Sequence, residues 1–294
     1  MNGLTDYITQ RAWRDTITTW FVLVDDAYQR LIKRLGHPIR TSGPEPTFAD
    51  SEVITVSLVI ETYFQGHEEV GYAFVQQYLH DCFPQLIDLD RFNERRRGLL
   101  GVLEAIRKDF RDQKLDRSDP IRLVDSAPIP LMTYTRGSRC RSVVGRMYFG
   151  VVTSKKAKVF GLRLHATVTL EQLIDEWLVA PASILDPQVL DALVCDQDGL
   201  TLICDKLYND ADREAELWHT HHHLLLPLRK DNQHAQWPAG IQPILGKLRH
   251  RIETVWSTLT TTFNLSRPRG RSLAGHLVRV ATCILAHTLS FFMT

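Results

Sequence analysis

Ile121–Pro130 reads IRLVDSAPIP. The apolar, β-branched run Ile121–Val124 predicts a buried strand closing on one carboxylate, Asp125, with Pro128 and Pro130 expected to end ladder pairing soon after. A charge at the end of a buried strand is costly unless a metal, a partner or a role in chemistry compensates it. Leu200–Asp205 (LTLICD) repeats the design, closing on Asp205 with Lys206 next to it. A third acid, Glu253, falls in a helical stretch starting near Leu245. There Ile252, Val255, Trp256, Leu259 and Phe263 recur at the steps of one buried stripe. Glu253 lies beside that stripe, one turn beyond Arg249, so both leave the same side of the helix. Taken singly, each aspartate reads as a loop cap and Arg249/Glu253 as a surface ion pair. Taken together, Asp125, Asp205 and Glu253 read as one site.

Three carboxylates in a partly buried pocket do not all stay ionised near neutral pH without a cation. Oxygen-only ligands select hard ions, Mg²⁺ or Mn²⁺, over zinc. Two such ions about 3.5–4 Å apart activate a water or 3′-hydroxyl on one side of a phosphodiester and stabilise the leaving oxygen on the other. Lys206 and the basic turn carrying Lys155, Lys156 and Lys158 suit the substrate's phosphates.

Charge is distributed in keeping with such a substrate. The 294 residues carry a net charge of only +1, so no global signal for nucleic acid exists. Yet Ser126–Leu170 holds no Asp or Glu while carrying Arg136, Arg139, Arg141, Arg146, Arg163 and the lysine turn. Thr254–Thr294 is also free of acids and carries Arg267, Arg269, Arg271 and Arg279. Two basic segments flank the candidate acids, as expected where a polyanion approaches a negative site. Five cysteines without paired spacing fit free thiols in a reducing cytoplasm rather than a disulfide frame or zinc ribbon. The greasy Leu273–Met293 is interrupted by His276, Arg279 and His287, and reads as a packing helix, not a membrane span.

Up to about Arg117 the chain reads as helical. A helix over Trp13–Leu35, a Pro/Gly loop, a helix from Asp50 or Ser51, a short helix over Glu69–Tyr78 and a longer one from Asp88 or Asp90 are expected. The last pair resembles a helix-turn-helix, with Arg91, Asn93, Arg95, Arg96 and Arg97 suited to phosphate and base-edge contacts. A surface helix with a basic stripe is the competing reading. From Pro120 strands take over: Met147–Thr153, then Val159–Thr169 with Phe160, Leu162, Leu164, Ala166 and Val168 on one face and Arg163, His165 and Thr167 opposite. With the Asp125 strand these form an antiparallel meander. Leu200–Cys204 and the edge strand Leu224–Leu228 alternate with helices, giving an α/β layout with a mixed sheet. The run His219, His221, His222, His223 lacks a complete zinc set, and Asp196–Gly199 reads as a turn. Cys204 reads as an inert buried thiol, and Trp237 as either a base-stacking residue or a loop anchor.

The run VDSAPIP, the hairpin SKKAKVFGLRLH, CDK-x-Y at Asp205, PLRK at Pro227–Lys230 and R-x-x-x-E at Arg249/Glu253 resemble, in that order, the DDE-type transposases of bacterial insertion sequences. The helical front end, with SEVITVSL and RFNERRR, is similar to theirs too. The resemblance implies an RNase H-like core, a mixed five-stranded sheet flanked by helices, over 118–294 with a helical tail, preceded by an all-α DNA-binding region over 1–117. It implies Asp125, Asp205 and Glu253 as ligands of two Mg²⁺ or Mn²⁺ ions. DNA contacts are then expected from Arg91, Arg95, Arg96, Arg97, Arg139, Arg141, Lys155, Lys156, Lys206, Arg249, Arg267 and Arg269. It further implies a homodimer or higher multimer, cytoplasmic or on the nucleoid, with no membrane partner, that cuts terminal inverted repeats and joins the 3′-hydroxyls to target DNA. Tyr208 matches the aromatic after the second acid. Leu207 departs from the small residue usual before it, and Gly246 and Thr260 stand where some relatives have tyrosine and lysine. A nuclease on the same core that does not join strands, and an inactive DNA-binding relative, are the alternatives.

Overall fold

The computed structural model describes residues 2–40, 42–44, 46–152, 157–267 and 269–293, with side chains from residue 12 onward. The chain forms two compact units, one drawn from residues 1–114, 262–264 and 269–294, the other from 115–261 and 265–268.

The first unit is all helical: α1 (Asn2–Leu35), α2 (Asp50–Phe64), α3 (Glu68–Tyr78), α4 (Leu89–Gly98), α5 (Leu100–Lys114) and α9 (Leu273–Ser290). Every residue of α2 from Val53 to Glu61 is buried, because α1, α3, α4 and α9 all pack on it. The expected long helix from Asp88 is two, broken at Leu99; its start is capped by Asp88, whose side chain accepts from the Arg91 N–H at 2.9 Å. The C-terminal helix follows the α/β segment in sequence. It packs instead on α2 and α5, in the helical unit. At 18 residues α9 is long and apolar enough to cross a membrane, but most of it is buried here. An apolar helix is a core element wherever other helices cover it on all sides.

The second unit is built on a mixed sheet of six strands: β1 (Ile121–Met132), β2 (Phe149–Val152), β3 (Ala157–Val168), β4 (Ile174–Pro181), β5 (Thr201–Cys204) and β6 (Leu224–Pro227). β1 runs antiparallel to β3 and parallel to β5, and β6 continues parallel on the outside. β2 and β4 share the other edge of β3, β2 against Ala157–Phe160 and β4 against Leu162–Val168. The order across the sheet is β2-β3-β1-β5-β6 with β4 also paired to β3, consistent with an RNase H-like fold. β4, with Asp175 and Glu176 near its start, does not read as a strand from sequence. Asp175 is buried, and its Oδ2 accepts from Arg122 Nε at 2.6 Å.

β1 does not stop at its prolines. Pairing with β3 continues through Pro128↔Arg163 and Pro130↔Gly161 to Met132↔Phe160. Residues two apart in a strand point their N–H groups to the same edge, so both missing donors fall on the side away from β3. Pairing with β5 on that side ends at Leu123↔Ile203, and no ladder bond is lost there. The two sheet faces are covered differently. Val124, Leu202, Cys204 and Leu225 pack with Tyr208 and with α6 (Leu190–Val194) and α7 (Ala211–His221). Leu123 and Ile203, one residue out of step, face the long helix α8 (Ile241–Thr261), which packs on β1 and β5.

Candidate active site

The parallel register of β1 and β5 places the two aspartates. Leu123 pairs with Ile203, so two residues further on Asp125 comes level with Asp205, both on the face that α8 covers. Asp205 follows the last residue of β5, whereas Asp125 lies within β1, paired with Ala166 of β3, just beyond the point where parallel pairing with β5 stops. Asp205 also caps the turn Lys206–Tyr208, accepting from the Lys206 N–H at 2.6 Å. Leu207 is exposed on that turn, and Tyr208 is buried beneath it in the apolar cluster.

Glu253 reaches the same place from α8 through Arg249. Arg249 Nη2 donates to Asp125 Oδ2 at 3.1 Å and Nη1 to Glu253 Oε1 at 3.4 Å. Trp256, one turn beyond Glu253, donates its indole N–H to the same Asp125 Oδ2 at 3.3 Å. His250 Nδ1 stands 2.9 Å from the other oxygen of Glu253. The Asp125 and Arg249 side chains are 14% and 18% exposed and that of Glu253 is half exposed, so the site is closed at its base and open at its rim. Burial pushes the Asp125 carboxyl up to about 6, even with Arg249 beside it. Burial alone would lower Arg249, but the surrounding Asp125, Asp205 and Glu253 outweigh it and raise it. One guanidinium thus sits in the field of all three acids.

Beneath Asp125, on the opposite face of β1, lies a second polar cluster. Ser126 Oγ donates to Asp186 Oδ1 at 2.5 Å, and Asp186 also meets His165 Nδ1 at 3.2 Å and Arg163 at 3.5 Å. The polar face expected of β3 is therefore buried and paired. Burial alone would raise Asp186, but His165 and Ser126 hold it below the usual carboxylate range.

The three acids fit a hard cation in donor type and charge, since all are oxygen ligands and the one arginine between them leaves an excess of negative charge. As the side chains stand, no three His, Cys, Asp or Glu among the described residues are grouped to hold one metal ion.

A family model described as Transposase DDE domain matches residues 116–289. The chain belongs to the DDE transposases. Membership makes it an enzyme of DNA transposition, in a family that generally uses divalent metal ions. No curated protein and no solved structure matches the chain.

The expected DNA contacts of this transposase divide sharply. Arg96 is 2% exposed; its Nη2 donates to the fully buried Glu61 at 2.5 Å, and Arg279 holds the other oxygen of Glu61 at 2.9 Å. Arg95 donates to Asp50 and to the Phe48 carbonyl. These two arginines brace the helical unit, Arg96 buried and Arg95 partly so, which leaves Arg91 and Arg97 as the exposed arginines of that helix. Arg91 and Arg97 are exposed and line one cleft with Arg269, Arg271, Glu68 and Asp90. Arg139, Arg141, Lys206 and Arg267 are exposed in the sheet unit, whereas Lys155 and Lys156 lie outside the described residues. Trp256, which spacing assigns to the core, is half-buried at the acids; its place seven residues after Arg249, on the same helix side, was the available signal. Trp237 is a loop anchor, its indole donating to the Pro227 carbonyl at 2.8 Å with Arg229 over its ring. His223 is buried and accepts from the Leu200 N–H at 3.1 Å.

Proposed function

We propose that this transposase cleaves phosphodiester bonds at the terminal inverted repeats of its element and transfers the 3′-hydroxyl ends to target DNA, acting as a dimer or higher multimer. The observation that carries the reading is Arg249 bridging Asp125 and Glu253 with Asp205 in its field, since it gathers three acids distant in sequence. Asp125, Asp205 and Glu253 would hold Mg²⁺ or Mn²⁺. When bound, such ions supply Lewis acidity that activates the attacking oxygen and stabilises the departing one. The chain's own groups do the rest. Trp256 fixes the rotamer of Asp125, Lys206 offers an ammonium to a backbone phosphate beside Asp205, and Arg249 offers its fork to another. The exposed Arg91, Arg97, Arg139, Arg141, Arg267 and Arg269 would add sequence-independent affinity.

Incubating the protein with DNA bearing the element's own ends, with Mg²⁺ or with EDTA, and mapping nicks and joints tests this. Metal-dependent nicks at the ends together with joined products are expected. Nicks without joints would reduce the protein to a nuclease, and end binding without nicks in any divalent metal would make it an inactive binder.

A further inference from the structure

We infer that Arg249 acts as an internal latch on the acid site: it occupies the place of a cation between Asp125 and Glu253, and DNA phosphate draws it away before divalent ions are taken up. The inference rests on reading Asp125, Asp205 and Glu253 as metal ligands. Asp125 Oδ2 already accepts from both Arg249 Nη2 at 3.1 Å and Trp256 Nε1 at 3.3 Å, so the oxygen facing α8 is committed. Glu253 is held one turn away on the same guanidinium at 3.4 Å. Among the described residues, no three acids are grouped around a point that one ion could share while the arginine stands between Asp125 and Glu253. Arg249 is not fully satisfied by this arrangement, since its buried Nε has no hydrogen-bond partner among the described residues. A DNA phosphodiester carries the same single charge as a carboxylate but offers the planar fork a bidentate partner, whereas Asp125 and Glu253 each take only one of its N–H groups. The side chain is long and flexible and keeps 18% of its surface open, so it can exchange partners without moving α8. Because both ligands favour the arrangement with Arg249 withdrawn from the acids, DNA and metal must each tighten the other's binding.

The test is a Mn²⁺ titration of the full chain, following free Mn²⁺ by its electron paramagnetic resonance, with and without a short DNA duplex. Without DNA, Arg249→Gln is expected to bind Mn²⁺ on the order of tenfold tighter than wild type, and adding Asp125→Asn to it should erase the gain. Arg249→Lys, which keeps the charge but cannot fork between two acids, should fall between; it also serves if circular dichroism shows the glutamine variant unfolded. The duplex should tighten Mn²⁺ binding more in wild type than in either variant. Arg249 variants that are folded and bind Mn²⁺ no tighter than wild type would overturn the latch while leaving the ligand assignment standing. If Asp125→Asn alone binds Mn²⁺ as wild type does, with and without DNA, the ligand assignment fails and the latch with it.

Discussion

At the scale of single residues, the acid site owes its form to two side chains of α8, Arg249 and Trp256, which hold the carboxylate of Asp125. Asp125→Asn, Asp205→Asn and Glu253→Gln are each expected to abolish end cleavage while leaving DNA affinity, read by filter binding, largely intact; wild-type cleavage by any one removes it from the ligand set. Trp256→Phe keeps the packing of α8 but deletes one hydrogen bond to Asp125. It should lower cleavage several-fold while costing about 1 kcal/mol of stability in urea unfolding. Glu61 lies fully buried between Arg96 and Arg279. Removing one member of such a group strands the others, so Arg96→Ala should destabilise the helical unit by about 3–5 kcal/mol. The exposed Arg97→Ala should leave unfolding unchanged, which separates a bracing arginine from a surface one. The placing of Asp125 and Asp205 side by side on neighbouring strands was legible in the sequence because a charge after a short apolar run is conspicuous, although β1 runs on past Asp125 to Met132. The bracing role of Arg96 was not, because three successive arginines on a helix look alike until the tertiary fold decides which one points inward.

At the scale of elements, α9 combines an apolar surface with two histidines that its packing keeps neutral. Burial drives both His276 and His287 down to about 4. A histidine whose folded pKa lies below its unfolded value of about 6.5 binds its proton more readily when unfolded. Stability is therefore complete above pH 6.5 and lost as pH falls toward 4, by up to roughly 3 kcal/mol for each group. Acid unfolding followed by circular dichroism should show this limb, and His287→Gln should flatten it. Helix types and most strand positions were legible from periodicity, and Asp88 from its capping chemistry. β4 was not, because Asp175 and Glu176 argue for a surface loop until Arg122 supplies a buried partner. The extension of β1 past its prolines was equally hidden, since whether a missing donor matters depends on where the neighbouring strand ends.

At the scale of the whole molecule, the helical unit is discontinuous: α9 returns from beyond the sheet to pack with α2 and α5. A fragment ending at residue 117 would expose the apolar surface that α9 covers. It should be poorly folded and aggregation-prone by light scattering, whereas the same fragment joined by a flexible linker to residues 269–294 should unfold cooperatively. Cooperative unfolding of the shorter fragment would mean that α9 is an accessory. Composition gave no sign of this return. Local pattern locates a helix and its apolar face, but which of two cores that face joins is a long-range matter.

The interleaving also sets an order of assembly during synthesis. The ribosome releases α1–α5 first, then all six strands, and only afterwards the helix that closes the first unit. While the nascent chain is still emerging, the sheet unit can reach its final packing, but the helical unit stays open and exposes apolar surface until α9 clears the exit tunnel. Growing chains are thus expected to need chaperone cover at their leading end rather than at the site of chemistry.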